Sequence, residues 1–124
     1  MKNQRKKVVA VLSDLMFRVK IQEAAKRAGL EPVFVKTGEE ALEQAKEKPV
    51  AVIIDLNNPT AEPLRLIETL KANSDTSKIN LLAYVSHVNA ELKQAAQEKG
   101  CDLVMARSAF SQNLPTIMKR YASS

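Results

Sequence analysis

The sequence predicts an α/β fold: a doubly wound, five-stranded parallel sheet with helices on both faces. Two observations lead there. Five short apolar runs alternate along the chain with segments whose apolar residues recur at helical spacing. Each apolar run is continuous rather than alternating, as in strands covered on both faces by crossover helices. The length of 124 residues suits one domain, and a chain of that size buries about two thirds of its unfolded surface.

The elements follow in order. Val8-Val9-Ala10-Val11-Leu12 is too short for a helix core and reads as the first strand. Ser13 or Asp14 can cap the next segment. Residues 15–28 put Phe17, Ile21, Ala24, Ala25 and Ala28 on one helical face, and Gly29 supplies a left-handed stop. Glu31–Lys36 is the second strand. Thr37 and Glu40 stand in the reciprocal spacing of a capping box, opening a helix to about Lys46. Val50–Ile54 is the third strand, closed by Asp55. Asn57 to Thr60 form a loop, and Leu64, Ile67 and Leu70 fit a helix. After a polar turn, Ile79–Val85 is strand-like. Asn89 caps a helix through Lys99, ended by Gly100. Leu103–Ala106 is the fifth strand, and Leu114–Tyr121 the last helix. Strand order is not readable from periodicity.

Composition excludes several classes. The chain is 45% hydrophobic, 27% charged and 4% aromatic, which rules out low-complexity and collagen-like chains. No run reaches the roughly 18 apolar residues of a membrane span. The basic N-terminus lacks the apolar stretch of a signal peptide, so a cytoplasmic protein is expected. Lone Cys101 cannot form an internal disulfide, in keeping with a reducing compartment. The net charge of +5 is concentrated at one end. Four of the 19 basic residues are Lys2, Arg5, Lys6 and Lys7; the other 15 face 14 acidic residues. Residues 1–7 therefore read as a basic tail and 8–122 as the folded domain. The tail is expected to be a solvated leader; polyanion binding is the alternative. No base-stacking aromatics or recognition-helix motif supports nucleic-acid binding.

In doubly wound sheets, sites lie at the carboxyl ends of the strands. That selects Leu12–Asp14, Asp55–Asn58, Ser86–Val88 and Arg107–Ala109. Asp55 is the sharpest feature. It ends an apolar strand, where a carboxylate serves as nucleophile, metal ligand or loop cap. Cys101 and Arg107 have C-x5-R spacing, but the residues between lack glycine and read as a strand, so they build no phosphate loop. No G-x-G-x-x-G or P-loop motif is present. His87, the only histidine, has no partner for a zinc site and reads as a loop residue. Phe110 reads as a core side chain.

The segment Lys48-Pro49-Val50-Ala51-Val52-Ile53-Ile54-Asp55-Leu56-Asn57-Asn58-Pro59, with Lys6–Val11 before it and Gly100-Cys101-Asp102 after it, resembles the response-regulator receiver domain of two-component signalling. The resemblance spans residues 6–121. It implies a flavodoxin-like sheet of strand order 2-1-3-4-5, with Asp55 as the position that a histidine kinase phosphorylates. It implies partner contact, including homodimerisation, through the face of the fourth helix, fifth strand and fifth helix, here Asn89, Lys93, Met105, Ser108 and Tyr121.

The departures from the receiver pattern shape the functional expectation. The acidic pair that holds Mg²⁺ falls on Leu12 and Ser13, with Asp14 one place late; Asp14 and Asp55 remain the candidate metal ligands. The hydroxyl position falls on Val85, with Ser86 adjacent, and the switch aromatic falls on Val104. The basic position falls on Arg107, a planar fork in place of a point ammonium and the expected ion partner of Asp55. The expectation is a non-enzymatic signalling module of a bacterial phosphorelay that meets a histidine kinase or output protein. It is expected to act by phosphorylation-independent contact and to carry no resident cofactor. The alternative is a phosphoacceptor with an atypical metal site.

Overall fold

The computed structural model describes residues 6–86 and 89–123. Lys2 and Arg5 of the tail, and His87 and Val88, lie outside the described residues. The chain runs β1 (Lys7–Val11), α1 (Leu15–Arg27), β2 (Glu31–Val35), α2 (Gly38–Ala45), β3 (Ala51–Asp55), a 3-10 turn (Pro59–Ala61), α3 (Pro63–Ala72), β4 (Asn80–Val85), α4 (Ala90–Glu98), β5 (Leu103–Ala106) and α5 (Arg107–Ala122). The five strands are parallel in the order β2-β1-β3-β4-β5.

Strand alternation explains the unbroken apolar runs. Val9, Val11, Val52, Ile54, Leu81 and Ala83 point to the α2–α4 side. Val8, Ala10, Ile53, Leu82 and Tyr84 point to the α1–α5 side. Both faces are covered, so neither tolerates a polar alternate. On the α1–α5 side Phe17, Tyr84 and Phe110 stack as a trio, with ring centroids 4.5 Å apart for Phe17–Tyr84 and 5.5 Å for Tyr84–Phe110. Such pairs add about 0.5–1.5 kcal/mol each beyond area burial. Phe110 is fully buried, as expected.

The expected caps form. Thr37 Oγ1 accepts from the Glu40 amide, and Glu40 Oε1 accepts from the Thr37 amide. Asn89 Oδ1 accepts from the Leu92 amide. At α1 the cap is Asp14, not Ser13. Gly38, at the start of α2, is forced by contact: a Cβ there would stand 2.8 Å from the Ala61 carbonyl oxygen.

Two boundaries differ from the sequence expectation. Strand β1 begins at Lys7, which pairs in register with Glu31 and forms an ion pair with Glu47 at 2.5 Å. Lys7 is therefore part of the sheet rather than a solvated tail residue. Helix α5 starts at Arg107, not Leu114, so Arg107–Ala109 is the first turn of a helix and not a crevice loop. Neither usual start signal marks it: the N-cap is Ala106, which has no capping side chain, and Pro115 sits inside the helix. The apolar spacing Phe110, Leu114, Ile117, Met118 holds the whole helix to the sheet despite the proline. Among the described residues no helix is long and apolar enough to cross a membrane.

Candidate functional site

The carboxyl ends of β1, β3 and β4 and the start of α5 converge as the sheet topology requires. Asp55 terminates β3 half-buried, opposite Tyr84 of β4. Its Oδ1 accepts from the Asn57 amide at 2.9 Å, an Asx turn that bends the chain out of the sheet. Burial raises the Asp55 pKa above the ordinary carboxylate value; the Asn57 amide pulls it back and the nearby Asp14 charge pushes it further up. The Asn57 side chain is also engaged, its Oδ1 accepting from the Ser86 amide at 2.6 Å. That bond ties the β3 and β4 loops together.

Asp14 is placed by its role as cap of α1. Its Oδ1 accepts from the Phe17 amide at 3.1 Å, and its Oδ2 forms an ion pair with Arg107. The Phe17 amide is the main cause holding the Asp14 carboxyl below its usual pKa; burial opposes it, and the guanidinium adds to it. Arg107 also lies over the Phe17 ring, 4.7 Å from its centroid. The expected Arg107–Asp55 ion pair does not form: the guanidinium is turned to Asp14. Pairing with a cap carboxylate while stacking on an aromatic suits a planar fork.

The remaining expected positions are apolar or occupied. Leu12 is buried in the α1–α5 core and brings no oxygen. Ser13 is exposed. Val85 and Val104 are both buried on the α2–α4 side. Ser86 is exposed and contributes its amide, not its hydroxyl. Among the described residues no three His, Cys, Asp or Glu side chains gather as a metal site. A cleft of about 60 Å³ lies between β2 and the start of α1, lined by Leu12, Ser13, Asp14, Arg18 and Phe34. The larger depression, about 560 Å³, lies between α2 and α3 and does not touch Asp55.

The expected partner face is mixed. Lys93 and Ser108 are exposed; Met105 and Tyr121 are half-buried against the α1–α5 core; the Asn89 side chain is committed to its cap. The exposed large apolar side chains stand elsewhere, on the first turns of α1: Leu15 at 72%, Met16 at 73% and Val19 at 55% exposure. Their signal was present in the sequence. Phe17 and Ile21 define the inward face, which leaves these three outward.

Two further residues escaped sequence reasoning. Asp102 Oδ2 accepts from the Leu81 amide at 2.8 Å and from Lys71 Nζ at 3.0 Å, fixing the start of β4 to the β5 turn. Tyr84 is fully buried with its hydroxyl unpartnered. Burial, with Asp55 and Asp14 adding, pushes its ionisation far above the usual range.

No protein-family model matches the sequence, and no curated protein matches it. Solved structures do resemble it. A response regulator from Hahella chejuensis is 18% identical, with 94% of each chain covered and a TM-score of 0.84. The chemotaxis response regulator CheY4 of Vibrio cholerae is 21% identical over 95% of this chain and 99% of that one, TM-score 0.81. The receiver domain of the sensor histidine kinase PA1611 from Pseudomonas aeruginosa, which has a magnesium ion in its active-site cleft, is 15% identical over 98% and 100%, TM-score 0.81. The chain has the response-regulator receiver fold.

Proposed function

We propose that this chain, folded as a response-regulator receiver, is a signalling module of a two-component or phosphorelay pathway that works by protein contact independent of phosphorylation. The observation that carries this reading is the closed arrangement of Asp14, Phe17 and Arg107. The carboxylate nearest the metal position is held by the Arg107 guanidinium and the Phe17 amide. Mg²⁺ takes near-octahedral oxygen ligands. Leu12 offers none and both Asp14 oxygens are engaged, so the donor set does not suit the ion. Val85 brings no hydroxyl to a phosphoryl group.

The contact surface is the exposed apolar trio Leu15, Met16 and Val19, which stands on α1 directly after the Asp14 cap. A histidine kinase or output protein is the partner class. Homodimerisation is proposed through the face of α4, β5 and α5, where Lys93 and Ser108 are exposed.

The test is intact-mass spectrometry of the protein after incubation with acetyl phosphate and Mg²⁺, alongside affinity capture of partners by wild type and by a Leu15→Ser/Val19→Ser variant. Partner capture without a phosphoryl adduct, weakened by the variant, is expected. A second reading is favoured by Asp55 itself, which keeps a half-buried carboxylate at the right strand end. It is phosphoacceptance by Asp55, and a stoichiometric adduct lost in Asp55→Ala establishes it instead.

A further inference from the structure

Helices α1 and α5 pack against each other and leave a groove of about 440 Å³ between them. Both helices run antiparallel to the strands, so their later turns reach the end of the sheet opposite Asp55. Lys6, just before β1, confirms that placement by donating to the carbonyl of Ala122 at the end of α5, at 3.3 Å. The groove floor is apolar, Ala24, Ala28 and Leu114, with exposed Pro115 at its edge. Its rim carries Lys20, Arg27 and Lys119 against one carboxylate, Glu23. Among the described residues none of these three cations forms an ion pair; Lys20 Nζ donates to Ser111 Oγ at 3.2 Å. Pro115 adds a further feature. It has no N–H to give the carbonyl of Ser111 one turn earlier, so the helix leaves a backbone acceptor beside the groove.

We propose that the α1–α5 groove docks an acidic peptide segment of a partner protein. Carboxylates meet Lys20, Arg27 and Lys119, one aliphatic side chain rests on the Ala24–Leu114 floor, and a peptide N–H reaches the Ser111 carbonyl. Charge complementarity selects this occupant. A second copy of the chain presents the same cations, and like charges across an interface repel. The lining contains no aromatic ring on which a base can stack. A bilayer requires several large apolar side chains that project, whereas Ala24 and Leu114 are buried between the helices. This site is separate from the Asp55 end and does not rest on the function proposed for it.

The experiment is fluorescence anisotropy of a labelled ten-residue peptide of alternating glutamate and leucine, with the full chain and three variants. Lys20→Glu/Arg27→Glu reverses two rim charges. Lys2→Ser/Arg5→Ser removes tail charges. Pro115→Ala supplies an N–H to the Ser111 carbonyl. Saturable binding is expected, weakened about tenfold by the rim pair, weakened less by Pro115→Ala, and unchanged by the tail pair. Circular dichroism of each variant verifies folding. Absence of peptide binding overturns the proposal, as does binding lost with the tail pair. Equal or tighter binding of a single-stranded oligonucleotide, or of phosphatidylserine vesicles, that the rim pair also abolishes overturns it in favour of a general polyanion patch.

Discussion

Arg107 and Asp14 stand 93 residues apart in the chain and meet as an ion pair at the carboxyl end of the sheet. Each opens a helix: Asp14 caps α1, and Arg107 is the first residue of α5. The guanidinium also covers the ring of Phe17, whose amide the same Asp14 accepts. One carboxylate, one cation and one ring thus fasten the starts of both helices on that face. The Asp14 charge is thereby offset without an added ion.

Arg107→Ala is therefore expected to lower stability by about 1–2 kcal/mol, through loss of a cation–π contact and a part-exposed ion pair. Arg107→Lys should recover only part, because an ammonium cannot stack and pair at once. The pH dependence has a defined sign. Asp14 has a depressed folded pKa. Its contribution is present above the ordinary value near 3.8 and is lost as pH falls through the lower folded value. Thermal melts should show the wild-type advantage over Arg107→Ala intact at neutral pH and shrinking only below about pH 4. An advantage that vanishes near pH 6 assigns it to another group.

Asp55 behaves in the opposite sense. Its folded pKa is raised, chiefly by burial. Its ionisation therefore costs stability: the folded state is most favoured below the ordinary value near 3.8 and loses that advantage as pH rises through the folded pKa. Asp55→Asn keeps an oxygen for the Asn57 amide and removes the charge. It should raise the melting temperature at pH 7 and converge on wild type as the pH approaches 3. A lower melting temperature for Asp55→Asn at pH 7 contradicts this.

Tyr84 carries its hydroxyl into a fully buried position without a partner. An unsatisfied buried polar group costs about 1–3 kcal/mol. Tyr84→Phe leaves the ring stack with Phe17 and Phe110 in place and removes that cost, so chemical denaturation should show a gain of about 1 kcal/mol. Phe110→Ala, by contrast, should cost about 3–5 kcal/mol through the cavity it leaves. A destabilised Tyr84→Phe reveals a hydrogen bond made through a buried water.

Much of this fold was legible in the sequence because both sheet faces are buried. Val50–Ile54 has no choice but a two-sided strand, and Thr37 with Glu40 announces α2 by its spacing. The start of α5 was not legible, since Ala106 caps nothing and Pro115 interrupts the pattern. The sequence also marked Asp55, because a carboxylate after five apolar residues has few uses. It did not show that Arg107 turns to Asp14 instead. That choice depends on the Phe17 ring, which a linear spacing cannot place beneath the guanidinium. The exposed Leu15, Met16 and Val19 were readable as the residues left off the inward face of α1.

Cys101 supplies an independent test of local packing. It is buried, and burial pushes its thiol pKa up to about 11. The thiolate is the reactive form. At pH 8 the native protein should react with Ellman's reagent far more slowly than the urea-unfolded chain. Equal rates would mean that the Gly100–Asp102 turn opens readily and that the Asp102 bonds to Leu81 and Lys71 do not hold β5 in place.

The last prediction concerns Mg²⁺. A pocket of clustered carboxylates is destabilised by mutual repulsion until a divalent ion neutralises it. Here Asp14 is neutralised by Arg107, and Asp55 gains an amide donor from Asn57. The remaining repulsion is between one paired and one half-buried carboxylate, and Leu12 adds no oxygen. Millimolar Mg²⁺ should therefore leave the melting temperature unchanged. Linkage makes the test sensitive, since a ligand at 100 times its dissociation constant adds about 2.7 kcal/mol. For a domain of this size that is a shift of roughly 10 °C. Arg107→Ala frees the Asp14 carboxylate and should create a Mg²⁺ response that wild type lacks. A Mg²⁺-dependent rise in wild type, abolished by Asp55→Ala, restores the phosphoacceptor reading of the site.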